Sequence, residues 1–319
     1  MQTVSSGPTE QTTLAPILDI RDLRMRFQVG EHDVLAVDGV SLAVRPGQIV
    51  ALVGESGCGK SATALSILRL IPSPPGCVDA GEILFRGPQE PQPVSLLKLT
   101  ERAMTRIRGR RISMIFQNPQ ASLNPVLSVG AQVAESFTLH QGLRGKAAMA
   151  RAINMLERVG LDSPARRAGQ FPHQLSGGMQ QRVMIAMALA CDPSLLIADE
   201  PTTALDVTIQ RQILELLHNV RTETGMSVLL ITHDLGIVAQ VADYVYVMYA
   251  GKIVEHADVR RIFKNPRHRY TLGLLRCMPQ KRTRRTRLLE MPETIPRPTA
   301  PPRPIPGHEH HFVAPATDP

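Results

Sequence analysis

Residues 175–206 read LSGGMQQRVMIAMALACDPSLLIADEPTTALD, and their patterns predict a turn, a helix and a buried strand in succession. The stretch opens with a polar glycine turn, and residues 178–190 are predicted to form a helix because apolar residues recur on one face. Ser176 stands where its hydroxyl can cap the first turn of that helix. Asp192 and Pro193 predict the end of the helix, since proline cannot continue it.

A buried strand follows this helix. Residues 195–198 are apolar at every position, which predicts burial of both faces, as in a parallel sheet. Asp199 and Glu200 come directly after the strand, and Asp206 adds a third carboxylate. Two adjacent carboxylates repel each other unless they bind something. A divalent cation held by one carboxylate and a water molecule polarised by the other would explain the pair.

A second stretch, residues 54–61, reads GESGCGKS and fits the phosphate-loop pattern G-x-x-x-x-G-K-[ST]. Its context is the expected one, because an apolar strand at 49–53 precedes it and a predicted helix at 61–70 follows it. Glycines let backbone N–H groups turn inward around phosphate oxygens, and the helix N-terminus adds partial positive charge. Lys60 would reach the β- and γ-phosphates, and the Ser61 hydroxyl would face Mg²⁺.

Polar residues follow four predicted apolar strands at the point where each strand ends. The strand at 49–53 precedes the phosphate loop, and the strand at 112–116 precedes Gln117. The strand at 195–198 precedes Asp199 and Glu200, and the strand at 228–231 precedes Thr232 and His233. In open α/β sheets, ligands bind beyond the carboxyl ends of the strands. One nucleotide site assembled from all four ends is therefore the simplest interpretation.

Several motifs resemble those of one family, the ABC-type ATPases. The turn at 176–180 looks like their signature motif, residues 196–201 like the Walker B motif and residues 204–206 like the D-loop. Three further segments resemble the ATP-binding subunits of oligopeptide and dipeptide importers. They are FPHQLSGGM at 171–179, MIFQNP at 114–119 and SLNPV at 122–126. The resemblance covers roughly residues 17–280.

The resemblance implies an α/β fold with a P-loop NTPase (ABC ATPase) core, an antiparallel β subdomain and an inserted α-helical subdomain. Alternating apolar and polar residues over 17–29 and 34–44 also predict an antiparallel hairpin. The expected organisation is a disordered N-terminus, an ABC ATPase domain and a basic, Pro-rich C-terminal tail. These parts cover 1–16, 17–279 (with the helical subdomain at about 128–190) and 280–319.

The resemblance also implies roles for individual residues. Glu200 would polarise the attacking water, and His233 would contact that water and the γ-phosphate. Ser61, Gln117 and Asp199 would hold Mg²⁺, and Gln117 would begin a loop that senses a membrane partner. The residues expected to contact ATP are Phe27, Gly54, Glu55, Ser56, Gly57, Cys58, Gly59, Lys60, Ser61, Ala62, Gln117, Ser176, Gly177, Gly178, Gln180 and Asp206. Phe27 would stack on adenine, and packing into the sheet is the open alternative.

In ABC dimers the signature turn covers the ATP that the opposite subunit holds. Ser176 and the N–H groups of Gly177 and Gly178 resemble that second anion site, and Asp206 is expected at the subunit contact. The implied assembly is a head-to-tail dimer with a second ATPase subunit, identical or related, on two membrane-spanning permease subunits. An extracytoplasmic solute-binding protein would act indirectly.

Composition limits the other possibilities. The chain has 319 residues, 43% of them hydrophobic and 3% aromatic, with a net charge of +8. No apolar run approaches the roughly 20 residues that cross a bilayer, and the N-terminus is not a signal peptide. The positive charge without a nucleic-acid motif favours a position at a membrane surface. The resemblance implies that this position is peripheral, on the cytoplasmic face of the plasma (inner) membrane. Cys58, Cys77, Cys191 and Cys277 form no C-x-x-C pair, which fits a reducing compartment.

The C-terminal tail departs from the family. Related subunits often carry a cysteine cluster there that binds an iron–sulfur centre, but no cysteine follows Cys277, so no such cluster is expected. The run at 281–287 is basic and nine prolines follow, which predicts a solvated, largely extended tail. The basic run could touch anionic lipid. His308, His310 and His311 could bind metal, although a flexible polar tail is the favoured interpretation.

Three alternatives remain open. A soluble ABC ATPase acting on nucleic acid or ribosomes is disfavoured, because no second nucleotide domain, coiled-coil arm or aromatic–basic interleaving is present. A non-catalytic regulatory subunit is disfavoured because Lys60, Asp199, Glu200 and His233 are all present. An importer of nickel or another small solute stays possible, since cargo specificity resides in other chains.

Overall fold

The computed structural model describes residues 15–30, 32–88, 90, 92–203, 205–278, 295, 297–305 and 308–315. Most of the predicted disordered N-terminus, the basic run at 281–287 and Ala204 of the predicted D-loop lie outside these residues. The strands are β1 (Leu18–Val29), β2 (His32–Val44), β3 (Ile49–Val53), β4 (Gly76–Phe85), β5 (Val94–Ser95), β6 (Ile112–Ile115), β7 (Leu195–Asp199), β8 (Ser227–Thr232), β9 (Tyr244–Tyr249), β10 (Lys252–Asp258), β11 (Arg303–Ile305) and β12 (His308–Val313).

Most helices lie between strands of the sheets. They are α1 (Lys60–Ile67), α2 (Glu101–Thr105), α3 (Pro119–Ser122), α4 (Val129–Gln141), α5 (Gly145–Arg158), α6 (Pro164–Ala168), α7 (Gly177–Leu189), α8 (Val207–Thr224), α9 (Leu235–Val241), α10 (Val259–Lys264) and α11 (Arg269–Arg276). Short 3₁₀ turns cover Leu96–Lys98 and Pro172–Gln174. The 3₁₀ turn at Leu96–Lys98 is followed by α2, whose first turn Thr100 caps.

The larger sheet has eight strands in the order β11-β12-β10-β9-β3-β8-β7-β6. β9, β3, β8, β7 and β6 run parallel, with Ile49 opposite Val228 and Leu195 opposite Ser227. Because the carboxyl ends of parallel strands meet at one edge, the residues after β3, β6, β7 and β8 lie along the same edge. This confirms the parallel sheet that the apolar strands predict.

The parallel strands are buried on both faces, as their continuous apolar sequences predict. In β7, Leu195 and Ile197 join the hydrophobic cluster shared with the antiparallel sheet, whereas Leu196 and Ala198 join the cluster under the helices. All four side chains are fully buried. Alternate side chains of β7 therefore pack into the two hydrophobic clusters on opposite faces of the sheet.

The smaller sheet is antiparallel, in the order β2-β1-β4-β5. β1 pairs with β2 from Leu18 opposite Val44 to Val29 opposite His32, which confirms the predicted hairpin. Its apolar side chains pack with α1 and one face of the larger sheet in a single cluster. The smaller sheet therefore packs on the same face of the larger sheet as α1.

Helices α4 to α7 form a separate layer. Phe137 of α4 and Leu156 of α5 are fully buried in the cluster that also contains α7. Gly142 adopts a left-handed conformation and ends α4, so α4 and α5 are two separate helices. These helices correspond to the predicted helical subdomain, whose limits at about 128 and 190 stay a prediction.

The prediction of a free, solvated tail is wrong for the described residues 303–305 and 308–313, because both segments form strands. β11 and β12 form an antiparallel hairpin, and β12 pairs with β10 and extends the larger sheet. His311 is 1% exposed, and its Nε2 lies 2.6 Å from Oε1 of Glu255. The local sequence is rich in proline and charge, so burial depends on a partner 56 positions earlier, which no local pattern reveals.

His256 in β10 predicts a pH-dependent stability. Its ring stacks between Tyr246 and Phe312, at centroid distances of 4.8 and 4.4 Å. Burial lowers the pKa of His256 from 6.5 to about 4, with a smaller contribution from His311. The unfolded chain thus takes up this proton at higher pH than the folded chain, so the neutral ring stabilises the fold above pH 6.5 and that stability is lost as pH falls toward 4.

We expect His256→Phe to flatten the pH dependence of unfolding in this window. The difference in slope between the wild-type chain and the variant should approach, at most, about 1.4 kcal/mol per pH unit, which corresponds to one proton. Urea unfolding from about pH 4.5 to about pH 7.5 measures it. Equal slopes for the two proteins would contradict the lowered pKa.

Among the described residues, no helix combines the length and the apolar composition needed to cross a membrane.

Candidate active site

The phosphate loop joins β3 to α1, and two of its glycines are required by close backbone contacts. A Cβ on Gly54 would lie 2.2 Å from the carbonyl oxygen of Met248. A Cβ on Gly59 would lie 2.2 Å from the carbonyl oxygen of Ala36. Any side chain at either position would displace the loop from β9 or from β2, so the glycines fix the position of the loop in the fold.

Lys60, the first residue of α1, is 5% exposed. Its Nζ donates hydrogen bonds of 2.8 Å to the carbonyl oxygens of Gly54 and Glu55. The ammonium group is therefore held inside the curl of the loop, where the sequence pattern places the phosphates.

Asp199 ends β7 beside Ser61. The Ser61 side chain lies beside the Asp199 carboxyl and acts to lower its pKa, and Oδ1 of that carboxyl is buried without a hydrogen-bond partner. Burial raises the pKa of Asp199, and the neighbouring Glu200 adds to this effect. A buried carboxylate oxygen without a donor and a hydroxyl beside it are oxygen ligands of the kind that Mg²⁺ prefers. These residues therefore fit the predicted metal.

Glu200 is the centre of the site. Its Oε1 lies 3.0 Å from Nδ1 of His233, and its Oε2 accepts hydrogen bonds of 2.8 Å from Gln117 Nε2 and from Thr203 Oγ1. Burial acts to raise the pKa of Glu200, but the hydrogen bonds from His233, Thr203 and Gln117 together hold it below its ordinary value. The carboxylate is therefore ionised at neutral pH and able to accept a proton from water.

The backbone of Glu200 has φ of 47°, a left-handed conformation that non-glycine residues rarely adopt. Its N–H donates to the carbonyl oxygen of Ile231, which continues the ladder between β7 and β8. The unusual conformation turns the side chain toward Gln117 and His233. Strained backbone of this kind is common at functional sites.

The structure thus brings together residues from all four predicted strand ends: the phosphate loop after β3, Gln117 after β6, Asp199 and Glu200 at the end of β7 and His233 after β8. Sequence reasoning missed Thr203, which lies three residues after Glu200 and fixes its Oε2. It also missed Gln181, whose buried amide donates to the carbonyl oxygen of Pro201. The only sequence signal for Thr203 is its proximity to Glu200.

The signature turn lies in a second cleft of about 480 Å³, called here the signature cleft. None of the residues that line it belongs to the phosphate loop. The lining includes Ser176, Gly177, Gly178, Arg182 and Asp206. Ser176 caps α7 by accepting from the N–H of Met179, and Asp206 caps α8 by accepting from the N–H of Ile209. The helix N-termini of α7 and α8 therefore both open into this cleft.

Three other predicted contact residues have defined surroundings. Gln180 is 6% exposed, and its amide donates to the carbonyl oxygens of Pro172 and Leu175, so it holds the signature turn in shape. Phe27 is half-buried in β1 and packs against the core cluster. Cys58 is buried, which raises the pKa of its thiol and makes it a poor nucleophile. Direct contact of each with ATP stays a prediction.

Comparisons with known proteins agree with this geometry. The family described as "ABC transporter" matches residues 37–203, and "Oligopeptide/dipeptide transporter, C-terminal region" matches residues 254–307. A putative peptide import ATP-binding protein of Brucella melitensis is 54% identical over 83% of this chain and 78% of its own length. The oligopeptide transport ATP-binding protein OppD of Bacillus subtilis is 50% identical over 90% of this chain and 79% of its own.

Solved structures give the same result for the fold. A dimeric bacterial ABC transporter cassette aligns with a TM-score of 0.66 and 29% identity over 76% of this chain and 99% of its own. A second structure of that cassette, in a post-hydrolysis state bound to ADP and phosphate, has a TM-score of 0.66 and 28% identity over the same shares. With a phosphate loop, a Walker B pair and a signature turn in place, the chain belongs to the ABC transporter family and has the fold of its nucleotide-binding ATPase subunit.

Proposed function

We propose that this chain is the ATP-hydrolysing subunit of a membrane importer for di- or oligopeptides. The observation that carries the proposal is the ionised Glu200 carboxylate, held by Gln117, Thr203 and His233 at the end of β7. The C-terminal family match and the peptide-transport names of its relatives support the class of cargo. The soluble alternative, acting on nucleic acid or ribosomes, has no support among these relatives.

The mechanism follows from the placement of the side chains. The phosphate loop binds the ATP phosphates with its N–H groups and Lys60. Glu200 orients a water molecule and accepts its proton as that water attacks the γ-phosphate. His233, whose exposed ring lies against Oε1 of Glu200, is placed to contact the same water and the transferred phosphoryl group. Gln117 holds Glu200 and is itself the first residue after β6.

Mg²⁺ would be held by Ser61, Asp199 and Gln117, and when bound it neutralises charge on the phosphate oxygens. The unpaired Oδ1 of Asp199 supports this assignment. Asp199 would stay ionised in the presence of the cation although burial raises its pKa.

The signature cleft supports a dimer with two ATP molecules at the subunit contact. Ser176, Gly177 and Gly178 open into a cleft that the phosphate loop of the same chain does not line. In a head-to-tail pair, this cleft would close over the ATP of the other subunit, and Asp206 would lie at the contact. ATP would then bind the closed pair more tightly than the open pair, which is the condition for ATP to drive closure.

The proposed assembly contains two membrane-spanning permease subunits, a second ATPase subunit and an extracytoplasmic solute-binding protein. This subunit would lie peripherally on the cytoplasmic face of the plasma (inner) membrane. No nucleic acid is expected as a partner, and the absence of an iron–sulfur cluster stays a prediction.

A mild-detergent purification of the tagged chain from its native cells tests the assembly. We expect two multi-span membrane proteins and a second ATPase to co-purify. The solute-binding protein should co-purify with them or bind when it is added to the purified complex. The purified complex in vesicles should take up labelled di- or oligopeptides with ATP but not with ADP. Recovery of ribosomes or nucleic acid without membrane proteins would contradict the proposal, and ATP-driven uptake of nickel alone would contradict its peptide cargo.

A further inference from the structure

A tyrosine from the C-terminal part of the chain contacts the phosphate loop. The Tyr270 side chain is 0% exposed, and its hydroxyl oxygen accepts a 2.8 Å hydrogen bond from the backbone N–H of Glu55. The two residues are 215 positions apart in the sequence. The Tyr270 ring packs on the ring of Tyr249, with centroids 4.5 Å apart, so the hydroxyl cannot easily move away.

The residue that Tyr270 contacts, Glu55, also supports the phosphate-binding lysine. Glu55 donates its N–H to Tyr270, while its carbonyl oxygen accepts from Nζ of Lys60 at 2.8 Å. The residue is thus held on both sides. A shift of Glu55 would move one of the two carbonyl oxygens that position the Lys60 ammonium group.

The start of α11 is fixed by one buried carboxylate. Glu255 in β10 is 0% exposed and accepts hydrogen bonds from the N–H groups of Arg267 and His268, at 2.8 and 3.0 Å. His268 in turn caps α11, since its Nδ1 accepts from the N–H of Tyr270 at 3.2 Å. Glu255 therefore sets the position of the turn of helix that carries Tyr270.

The β11–β12 hairpin completes the surroundings of that carboxylate. His311 of β12 places Nε2 2.6 Å from Oε1 of Glu255, and both side chains are almost fully buried. A buried carboxylate is stable only when donors compensate its lost hydration. Without His311, Glu255 would keep two backbone donors and lose its one side-chain partner among the described residues.

We propose that Tyr270 is a positioning residue for nucleotide binding, which holds Glu55 and with it Lys60, and that the β11–β12 hairpin keeps Tyr270 in place through Glu255. The hairpin and α11 thus act on ATP binding without touching ATP.

The test compares Tyr270→Phe with Tyr249→Phe in the full chain. Both changes remove one hydroxyl from the same aromatic pair, but the Tyr249 hydroxyl donates to the carbonyl oxygen of Ile295 and does not contact the loop. We expect the Kd for Mg-ADP to rise about fivefold in Tyr270→Phe, the value that one lost hydrogen bond of ordinary strength gives. In Tyr249→Phe it should stay within twofold of the wild-type value.

Thermal unfolding of the nucleotide-free proteins separates positioning from general stability. If Tyr270 were only structural, both variants would lower the Tm by similar amounts and bind Mg-ADP equally well. Wild-type affinity in Tyr270→Phe, or the same loss of affinity in both variants, would overturn the proposal.

The role of the hairpin is tested with His311→Ala, alone and combined with Tyr270→Phe. We expect His311→Ala to weaken Mg-ADP binding in the wild-type background and to have little further effect in the Tyr270→Phe background, because both act on Glu55. His311→Gln, which keeps an N–H donor of similar reach, should restore most of the affinity. If His311→Ala does not fold, His311→Leu fills the same volume without a donor. Additive effects, or no effect of the His311 changes, would overturn the role of the hairpin.

Discussion

Glu200→Gln is expected to bind ATP and to lose hydrolysis. The amide is of the same size, and its oxygen can accept from Gln117 and Thr203 while its NH₂ group faces Nδ1 of His233. The geometry of the site is therefore kept, but the group that accepts the proton of the attacking water is lost. Removal of a general base typically lowers the rate by about 10²–10⁴-fold.

Phosphate release by the purified complex measures this loss, and analysis of the bound nucleotide should find ATP instead of ADP. Thr203→Val is the matched control, since it removes one donor to Glu200 and leaves the carboxylate in place. We expect it to lower the rate by less than about tenfold. A Glu200→Gln complex that hydrolyses ATP within tenfold of the wild-type rate would rule out the assigned role.

The same variant tests the dimer. Because ATP is not consumed, the closed pair should persist, and light scattering of the variant with its sibling subunit and ATP should give the mass of a dimer. A monomer under these conditions would contradict the arrangement in which the signature cleft covers the ATP of the other subunit.

Gly59→Ala should abolish nucleotide binding. The new methyl group would lie 2.2 Å from the carbonyl oxygen of Ala36 and 2.6 Å from Cε of Met248. The methionine can move, but the carbonyl belongs to β2 and can move only with its sheet. The φ of 108° adds strain for any residue with a side chain. We expect the loop to shift away from β2 and the Kd for ATP to rise by at least about 100-fold.

Gly47→Ala is the control for backbone strain alone. Gly47 also has positive φ, 69°, but the added Cβ would be no closer than 3.8 Å to its nearest neighbour. Its expected cost is about 1–2 kcal/mol of stability, with ATP affinity close to that of the wild-type chain. Titration with ATP and urea unfolding of both variants give the comparison. ATP affinity in Gly59→Ala within threefold of the wild-type value would show that the close contact with Ala36 is not required for nucleotide binding.

Local sequence patterns predicted the parts of the structure that depend on neighbouring residues. The predicted strand at 195–198 is one residue shorter than β7, and the predicted helix at 178–190 is shifted by one residue from α7. The phosphate loop and the four strand ends were also predicted, because an apolar run followed by glycines or carboxylates carries that information locally. The shared edge then follows from parallel pairing.

Contacts between distant segments were not predictable in the same way. The sequence predicted a solvated tail where the structure has the β11–β12 hairpin. His311 looks like part of a polar tail unless Glu255 is known to face it. Tyr270 carries no signal for a contact with Glu55, since the interaction uses a backbone N–H that every non-proline residue has. Such contacts depend on the assembled fold and leave no periodic pattern.

The pairing of β12 with β10 has a consequence for synthesis of the protein on the ribosome. β10 ends at Asp258 and β12 begins at His308, a difference of 50 positions. At translation rates of about 5–20 residues per second, roughly 3–10 seconds pass between synthesis of β10 and synthesis of β12. During that interval its N–H and C=O groups form an open edge that can pair with another nascent chain. Strands β11 and β12 therefore protect the growing sheet from aggregation.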